Sequence, residues 1–333
     1  MGRGKGPANG WEIHMKQTFR VPVRELLEPF YTDRADPQDL ARFTRWGTFG
    51  KMLQAAGLWL IVVFTAFELM TEVDLKTHFL LLLLALGVSL AGFFLGVVGN
   101  YRILGVLEQR CDPQLYAGLM YESALRLQQA RMPKQSVRER GCGMMAANFA
   151  IALCYMGRWE EARVLVSRLL RCEPTAVEEM RCHCVMVRYY SHHREAEALR
   201  EALQDMRCAA AGMKGKRTDL LIRHAERMER ISRALCEAGL EGAYQTCRNI
   251  KPVKDTPLTR VQQAYELGHM EFELGLEGEA GRNLAYAAKH GKDLQMGREA
   301  EMLLKKLQAG RAAGGGSGVP DKDHTDRERG NDS

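Results

Sequence analysis

Two apolar runs stand close together in the N-terminal part of the chain. The first extends from about Met52 to Met70, the second from about Phe79 to Val98, and the linker of residues 71–77 is mostly polar. Each run approaches the roughly 20 residues that an α-helix needs to cross a bilayer core of about 30 Å. Five consecutive leucines in the second run leave no polar face to meet water. The pattern predicts a transmembrane helical hairpin over residues 49–104, and a buried hairpin of a soluble protein is the alternative.

Basic residues are distributed unevenly around this hairpin. The linker contains Lys76 beside Glu72 and Asp74. Lysine and arginine are enriched in the cytoplasmic flanks of membrane spans, whereas acidic residues contribute little to orientation. The sequence therefore predicts an integral membrane protein with both termini in the cytoplasm and the short linker outside. The flanking basic residues are Arg34, Arg42, Arg45 and Lys51 before the first run, and Arg102 and Arg110 after the second.

A stripe of small residues runs along the second apolar segment. Its members are Ala85, Ser89, Gly92, Gly96 and Gly99. Their spacings of four and three residues place them on one face of a helix, where small side chains let another helix approach closely. We expect this face to pack against the first helix of the same chain, because a short linker makes the two helices neighbours. Homodimerisation through the stripe is the alternative.

Residues 1–48 form the predicted cytoplasmic N-terminal segment. Residues 1–10 are rich in glycine and are expected to be disordered. A short amphipathic helix is predicted from Pro37 toward the membrane. Such a helix would lie on the cytoplasmic leaflet with Arg42 and Arg45 near lipid phosphates. A simple juxtamembrane linker is the alternative.

Residues 112–308 have the composition of consecutive helices. Alanine, leucine, methionine, glutamate and arginine abound, and these residues favour helix formation. Strand-like alternation is absent from the sequence. The breaks predict an all-α domain of short helices joined by turns, and residues 309–333 are expected to form a disordered tail. These breaks fall at Pro133, Pro174, Gly212–Gly215, Pro252, Pro257 and Gly291.

One stretch of this domain has a distinctive order of small and aromatic residues. Counted from Gly143, positions 8, 15, 17, 20, 24 and 32 hold Ala150, Gly157, Trp159, Ala162, Val166 and Pro174. This order resembles a tetratricopeptide repeat (TPR), whose two helices cross closely at small residues and whose period is about 34 residues. One period later the pattern recurs at Cys184, His193, Ala196 and Leu203. A third copy fits Leu267, Gly268, Gly275, Ala280 and Leu284, and a looser unit contains Gly239 and Ala243.

The resemblance implies an α-solenoid with a concave surface that binds a protein or peptide partner. It points to binding rather than catalysis. Arg181, Arg188 and Tyr189 are candidate partner-binding residues, because they lie on the first helix of the second copy, which lines the concave face in this family. Asn148 matches a position of the family's peptide clamp. The lysines of that clamp have no match here, so its specificity is not inferred.

Charge and cysteine content exclude several other classes of protein. The formal net charge of +6 is too small and too dispersed for a nucleic-acid-binding protein. All nine cysteines follow the second apolar run, and an odd number on the cytoplasmic side argues against a disulfide framework. The only cluster of histidine and cysteine is Cys182-His183-Cys184 with His192-His193. Its side chains diverge on a helix, so we predict no metal site.

No catalytic or cofactor-binding motif occurs in the sequence. There is no phosphate-binding Walker loop, no His-Glu-x-x-His and no Gly-x-Ser-x-Gly. We therefore predict a membrane-anchored scaffold or adaptor that is not an enzyme and needs no cofactor. The alternative is an accessory subunit of a membrane enzyme or transport assembly. An unrecognised enzyme on a helical platform is a third hypothesis, which a convergent set of buried polar groups would favour.

Overall fold

The described part of the chain is entirely helical. It forms twelve α-helices and one short 3₁₀ helix and contains no strand, so the predicted all-α class is confirmed. The predictions for the first ten residues, for residues 71–74 of the linker, for the break at Pro133 and for the tail beyond residue 314 fall outside this part. The computed structural model of the protein describes residues 22–32, 34–70, 75–131 and 142–314.

Helix boundaries follow the proline and glycine breaks. The helices end before Pro174, Gly212, Pro252 and Gly291, whereas α12 continues beyond the predicted boundary at residue 308. The helices are α1 (Val23–Leu27), a 3₁₀ helix (Glu28–Phe30), α2 (Pro37–Met70), α3 (Leu75–Arg110), α4 (Pro113–Arg131), α5 (Cys142–Met156), α6 (Trp159–Leu170), α7 (Ala176–His193), α8 (Ala196–Ala210), α9 (Lys216–Asn249), α10 (Pro257–Glu273), α11 (Glu277–His290) and α12 (Gln295–Gly314).

Helices α2 and α3 form an antiparallel hairpin with apolar outer faces. Both are long and apolar enough to cross a membrane, over Pro37–Phe67 and Lys76–Gly99. Only 11% and 17% of their most apolar windows are buried, unlike a core helix of a soluble protein. Extended exposed apolar surface is typical of a membrane or protein contact. Its large side chains include Phe49, Met52, Leu58, Trp59, Val62, Phe67, Phe79, Leu80, Leu83, Leu84, Leu86, Leu90, Phe93, Phe94 and Val98.

Small residues bring the backbones of the hairpin into direct contact. A Cβ atom added at Gly57 of α2 would lie 2.5 Å from the backbone nitrogen of Ser89 in α3. A Cβ atom added at Gly92 would overlap the backbone of Gln54. Real side chains do not fit at such distances, so the hairpin depends on glycine at these crossings.

The predicted stripe of small residues faces this contact. A Cβ atom on Gly96 would meet nothing within 4 Å, but its backbone touches Gly50 of α2. The first helix therefore contributes its own glycines, which the sequence pattern did not single out. The four buried positions of the stripe lie within the chain and are not available to a second copy. They are Ala85, Ser89, Gly92 and Gly99.

We expect Gly57→Leu to destabilise the hairpin by about 1–3 kcal/mol, since the new side chain would force the two backbones apart. Unfolding of the purified full-length protein in mixed micelles, titrated with SDS, measures the effect. Gly87→Leu is the matched control, because nothing lies within 4 Å of a Cβ atom at Gly87. Equal unfolding of the two variants would show that α2 and α3 do not meet at Gly57.

The end of the hairpin that lies away from the linker of residues 71–77 packs into the helical domain. Val106 and Leu107 of α3 are buried in the same apolar core as Phe149 of α5. Leu40 near the start of α2 and Val261 of α10 belong to this core as well. The helical domain is therefore continuous with the hairpin, without a flexible linker between α3 and α4.

Three helix pairs are joined by the same tight turn. The pairs are α5/α6, α7/α8 and α10/α11, and each turn contains one residue with positive φ: 87° at Gly157, 60° at Arg194 and 75° at Gly275. The N–H of the next residue donates to a carbonyl five residues back, as Arg158 does to Leu153. This Schellman arrangement satisfies the free carbonyls at a helix end. The three turns support a common design of the helix pairs.

The second of these turns lies later than a 34-residue period predicts. The period places the equivalent of Gly157 at Ser191, whereas the turn occurs at Arg194. His193 consequently ends α7 and does not begin the following helix. The cause is the length of α7, which starts at a capping box on Thr175 and continues for 18 residues.

The last helix returns to the first helix pair. Arg298 of α12 donates to the carbonyl oxygen of Met156 at 2.8 Å, and Trp159 Nε1 donates to Gln295 Oε1 at 2.7 Å. Leu294, just before α12, is buried in the core around α5. The helical domain thus curves back on itself and leaves a half-open space between its helices.

Candidate functional site

A cavity of about 520 Å³ lies at the centre of the helical domain. Its walls come from α5, α7, α9, α10 and α12, with the first residue of α6 at one side. Aromatic, cationic and methionine side chains dominate the lining. They are Tyr155, Trp159, Arg188, His192, Arg194, Tyr265, His269, Lys306, Met228, Met270, Met296 and Met302, joined by the polar residues Ser191, Ser232, Gln262, Glu266, Gln295 and Glu299.

A chain of hydrogen bonds crosses one wall of the cavity. Trp159 donates to Gln295, whose Nε2 donates to Glu299 Oε1 at 2.6 Å. The other oxygen of Glu299 accepts the hydroxyl proton of Tyr265. The Trp159 ring also stacks on the ring of His192, with centroids 4.2 Å apart. These contacts fix two aromatic rings at the cavity and give each oxygen of Glu299 a hydrogen bond.

A buried ion pair forms a second part of the wall. Arg227 is 5% exposed, and its guanidinium donates to Glu266 Oε2 at 2.8 Å. Gln262 Nε2 donates to Glu266 Oε1 at 2.9 Å, whereas Gln262 Oε1 is buried without a hydrogen-bond partner among the described residues. A buried amide oxygen without a donor is costly. Gln262 Oε1 is therefore an acceptor that a bound group would satisfy.

Arg188 is a cation of the cavity wall that has no carboxylate partner among the described residues. Its guanidinium donates to the Tyr155 hydroxyl at 2.7 Å and lies 3.0 Å from Nε2 of His224. It also lies over the Tyr155 ring, 5.0 Å from the centroid. Within the part of the chain that the structure describes, no carboxylate lies in ion-pair distance of Arg188. Its Nε is buried and unpaired.

His224 serves this arginine as a neutral acceptor. Burial, with Arg188 and Arg227 nearby, holds the pKa of His224 well below its usual value. Burial likewise raises the pKa of Tyr155, so its hydroxyl keeps its proton. Two neutral side chains thus hold the Arg188 guanidinium, and its positive charge remains uncompensated.

Arg181 lies on the same helix, two turns before Arg188. It is half-buried, and burial lowers the pKa of its guanidinium, with Arg217 and Arg188 adding to the effect. Its Nε has no hydrogen-bond partner in the described ranges. Tyr116 is close enough to interact with it electrostatically. Arg181 therefore adds positive charge next to Arg188, although it does not line the cavity itself.

The other two predicted partner-binding residues, Tyr189 and Asn148, do not line the cavity. Tyr189 is 7% exposed and donates its hydroxyl to Glu160 of α6, with the Arg163 guanidinium 5.7 Å from its ring. Asn148 is 5% exposed within the core around α5. The structure thus brings Arg181 and Arg188 together, places Arg188 on the cavity wall, and leaves Tyr189 and Asn148 away from it.

Cysteine and histidine do not converge in the described residues. No group of three or more His, Cys, Asp or Glu side chains there is placed to hold a metal ion. Cys182 and Cys184 point into different apolar cores. Burial raises the pKa of Cys154, on the cavity wall, to about 12, so this thiol is protonated at neutral pH and is not a nucleophile.

Comparison of the chain with protein-family models, curated proteins and solved structures gives no match. The TPR resemblance therefore rests on the residues of the chain and on its three equivalent turns. Sequence reasoning identified Trp159 as the aromatic residue of the first copy but did not connect it with Gln295 or Glu299. Those contacts join residues far apart in the chain, and no local pattern indicates them.

The histidine beside Arg188, His224, should make stability depend on pH. The unfolded chain restores the pKa of His224 to about 6.5. Because the folded pKa lies well below that value, the unfolded state binds more protons as the pH falls through 6.5, and folding stability decreases. Above that pH the contribution of His224 to stability is fully present.

At pH 5.5 we expect His224 alone to lower the free energy of unfolding by about 1.4 kcal/mol. His224→Gln keeps an acceptor for Arg188 but removes the titration, so it should show a smaller loss between pH 7.5 and 5.5. Thermal melts of the full-length wild type and of His224→Gln in detergent, at pH 7.5 and 5.5, measure the loss of stability in each protein. An identical pH dependence in the two proteins would contradict the buried neutral histidine.

Proposed function

We propose that the protein is a membrane-anchored adaptor whose TPR-like helical domain binds a segment of a protein partner in the central cavity. The observation that carries this proposal is the guanidinium of Arg188, a half-buried cation with no carboxylate in ion-pair distance among the described residues, in a cavity wall that also contains Tyr155, Trp159 and Tyr265. Arginine, tryptophan and tyrosine are the side chains that most often dominate binding energy at protein interfaces.

The lining favours a protein segment over a rigid small molecule. Four methionines occupy the wall, and one of them, Met302, is 56% exposed at the cavity. Methionine is flexible and polarisable, which suits surfaces that adapt to peptide side chains. The cavity would therefore accept an extended or helical segment with apolar side chains.

The charges of the wall favour an acidic group on that segment. Glu266 is neutralised by Arg227, and Glu299 accepts from Tyr265 and Gln295. Arg188 has only neutral partners. A carboxylate of the partner would pair with Arg188 and remove the cost of burying its charge.

The membrane arrangement would place this cavity at the cytoplasmic face. The basic flanks Arg42, Arg45 and Lys51 precede the first span, and Arg110 follows the second. Since Val106 is part of the core of the domain, the cavity would be rigidly connected to the membrane anchor. A partner segment bound there would be recruited to the membrane surface.

A second candidate function is that of an accessory subunit of a membrane enzyme or transport assembly. The observation that favours it is the bare outer face of the hairpin, where Trp59 is 71% and Leu80 is 68% exposed. Such a face would contact either lipid or the spans of a partner. We propose no catalysis by the chain itself, since the Cys154 thiol is protonated and the carboxylates of Glu266 and Glu299 both accept hydrogen bonds from neighbouring side chains.

Site-specific photo-crosslinking in intact membranes separates these functions. A photoreactive residue at Met302, on the cavity, should yield protein adducts, whereas one at the exposed Val164 of α6 should not. Adducts formed only from Trp59, on the outer face of the hairpin, would favour the accessory-subunit function and contradict binding in the cavity.

The charge of Arg188 provides the sharper test. Arg188→Met keeps most of the side-chain volume and should reduce the Met302 adduct about tenfold or more, because binding hot spots are worth that much. Arg200→Met, on the outer side of α8, is the matched control and should keep full crosslinking. If both variants melt normally and crosslink equally, Arg188 takes no part in binding.

A further inference from the structure

A second cavity lies at the junction of the hairpin and the helical domain. Its volume is about 1070 Å³, and its walls come from α1, the segment after it, the first four turns of α2, and α4. We name it the juxtamembrane cavity. At one side the stacked rings of Tyr31 and Tyr121, with centroids 4.7 Å apart, join the N-terminal segment to α4.

The juxtamembrane cavity contains an excess of positive charge. Four arginines line it against three carboxylates. Two of the arginines have close partners: Arg24 lies 3.0 Å from Glu28, and Arg126 lies 3.1 Å from Glu122. The third carboxylate, Asp36, accepts the backbone N–H of Gln38 at the start of α2.

Two arginines of this cavity have no ion pair with another described residue. Within the described residues, no carboxylate lies in ion-pair distance of Arg34 or Arg45, and both side chains are exposed. They come from different elements: Arg34 lies in the segment before α2, and Arg45 lies in the third turn of α2. The cavity is therefore lined by two guanidinium groups that are available to an anion.

The wall formed by α2 changes from polar to apolar along its length. Arg45, Thr48, Phe49 and Met52 all line the cavity, and their spacings of three and four residues place them on one helical face. Phe49 is 52% and Met52 is 67% exposed. The face thus runs continuously from a cationic end into the apolar surface of the candidate span.

We propose that the juxtamembrane cavity binds one anionic phospholipid, with the phosphate at Arg34 and Arg45 and an acyl chain along Phe49 and Met52. This inference rests on the proposed membrane anchoring. A guanidinium group matches a phosphate in charge and in hydrogen-bond geometry. The adjoining apolar face matches a lipid and not a free phosphate, which would leave Phe49 and Met52 uncovered.

The bound lipid would connect three parts of the chain. The cavity is bounded by the N-terminal segment, by α2 and by α4, and the last belongs to the helical domain. One headgroup would therefore contact the domain and the membrane anchor together. Occupancy of the cavity would depend on the anionic lipid content of the membrane.

Native mass spectrometry of the detergent-purified full-length protein tests this site. Phosphatidylglycerol and phosphatidylcholine are titrated in parallel, and adducts with phosphatidylglycerol are expected to form more tightly. Each basic residue near an anionic lipid strengthens association about fivefold, so the Arg34→Gln, Arg45→Gln double variant should bind it about 25-fold more weakly. Arg42→Gln is the matched control, because Arg42 is exposed on α2 but does not line the cavity.

Three results would overturn the site. They are equal binding of the two lipids, an equal loss in Arg42→Gln, and displacement of phosphatidylglycerol by the same concentration of glycerol 3-phosphate, which would show a free-phosphate site. A dimer in place of a lipid adduct would assign the cavity to a second copy. Crosslinking from Met302 in the double variant keeps the two proposals distinguishable: intact crosslinking with no lipid preference rejects the lipid site alone.

Discussion

Burial of α5 on every side is the constraint on which the helical domain depends. Its sequence is apolar around the whole helix, and residues from Cys142 to Tyr155 are buried on all its faces. A helix of that kind must be surrounded by others. Here α4, α6 and α7 cover it, and α12 returns from the far end of the chain to complete the cover. The closed shape of the domain, and hence its central cavity, follows from this requirement.

The return of α12 to the first helix pair also explains which polar side chains pair with one another in the cavity wall. Bringing α12 back to α6 places Gln295 against Trp159, and Tyr265 of α10 then meets Glu299. These side chains satisfy one another. Arg188 is held only by neutral groups, and an uncompensated charge in such a place costs free energy. No contact among the described residues offsets that cost, and we therefore base the proposed function on Arg188.

Sequence reasoning succeeded where the signal is local. The hairpin follows from two continuous apolar runs, and the helix ends follow from Pro174, Gly212, Pro252 and Gly291, because each break acts on its own neighbourhood. The register of the second helix pair failed at Arg194. A non-glycine residue occupies the left-handed turn there, so the glycine signal that marks the other two turns is missing.

The site was predictable only in part, for reasons of geometry. Arg181 and Arg188 are seven residues apart and share a helical face, as their spacing indicates. Tyr189 follows directly, so it is rotated by about 100° around the helix and meets α6. The partners of Arg188 come from α5 and α9, and the charge it retains depends on what those helices place beside it. No local sequence pattern around Arg188 indicates which residues of α5 and α9 will lie beside it.

The continuity of α3 links the tilt of the hairpin to the position of the helical domain. Its 36 residues span about 54 Å, from the linker between the two candidate spans to the buried core at Val106 and Leu107. Membrane helices tilt to match the thickness of the surrounding bilayer. A change in tilt of about 10° would swing the far end of such a helix by about 9 Å, and the helical domain with it. Bilayer thickness would then set the position of the cavity relative to the membrane surface.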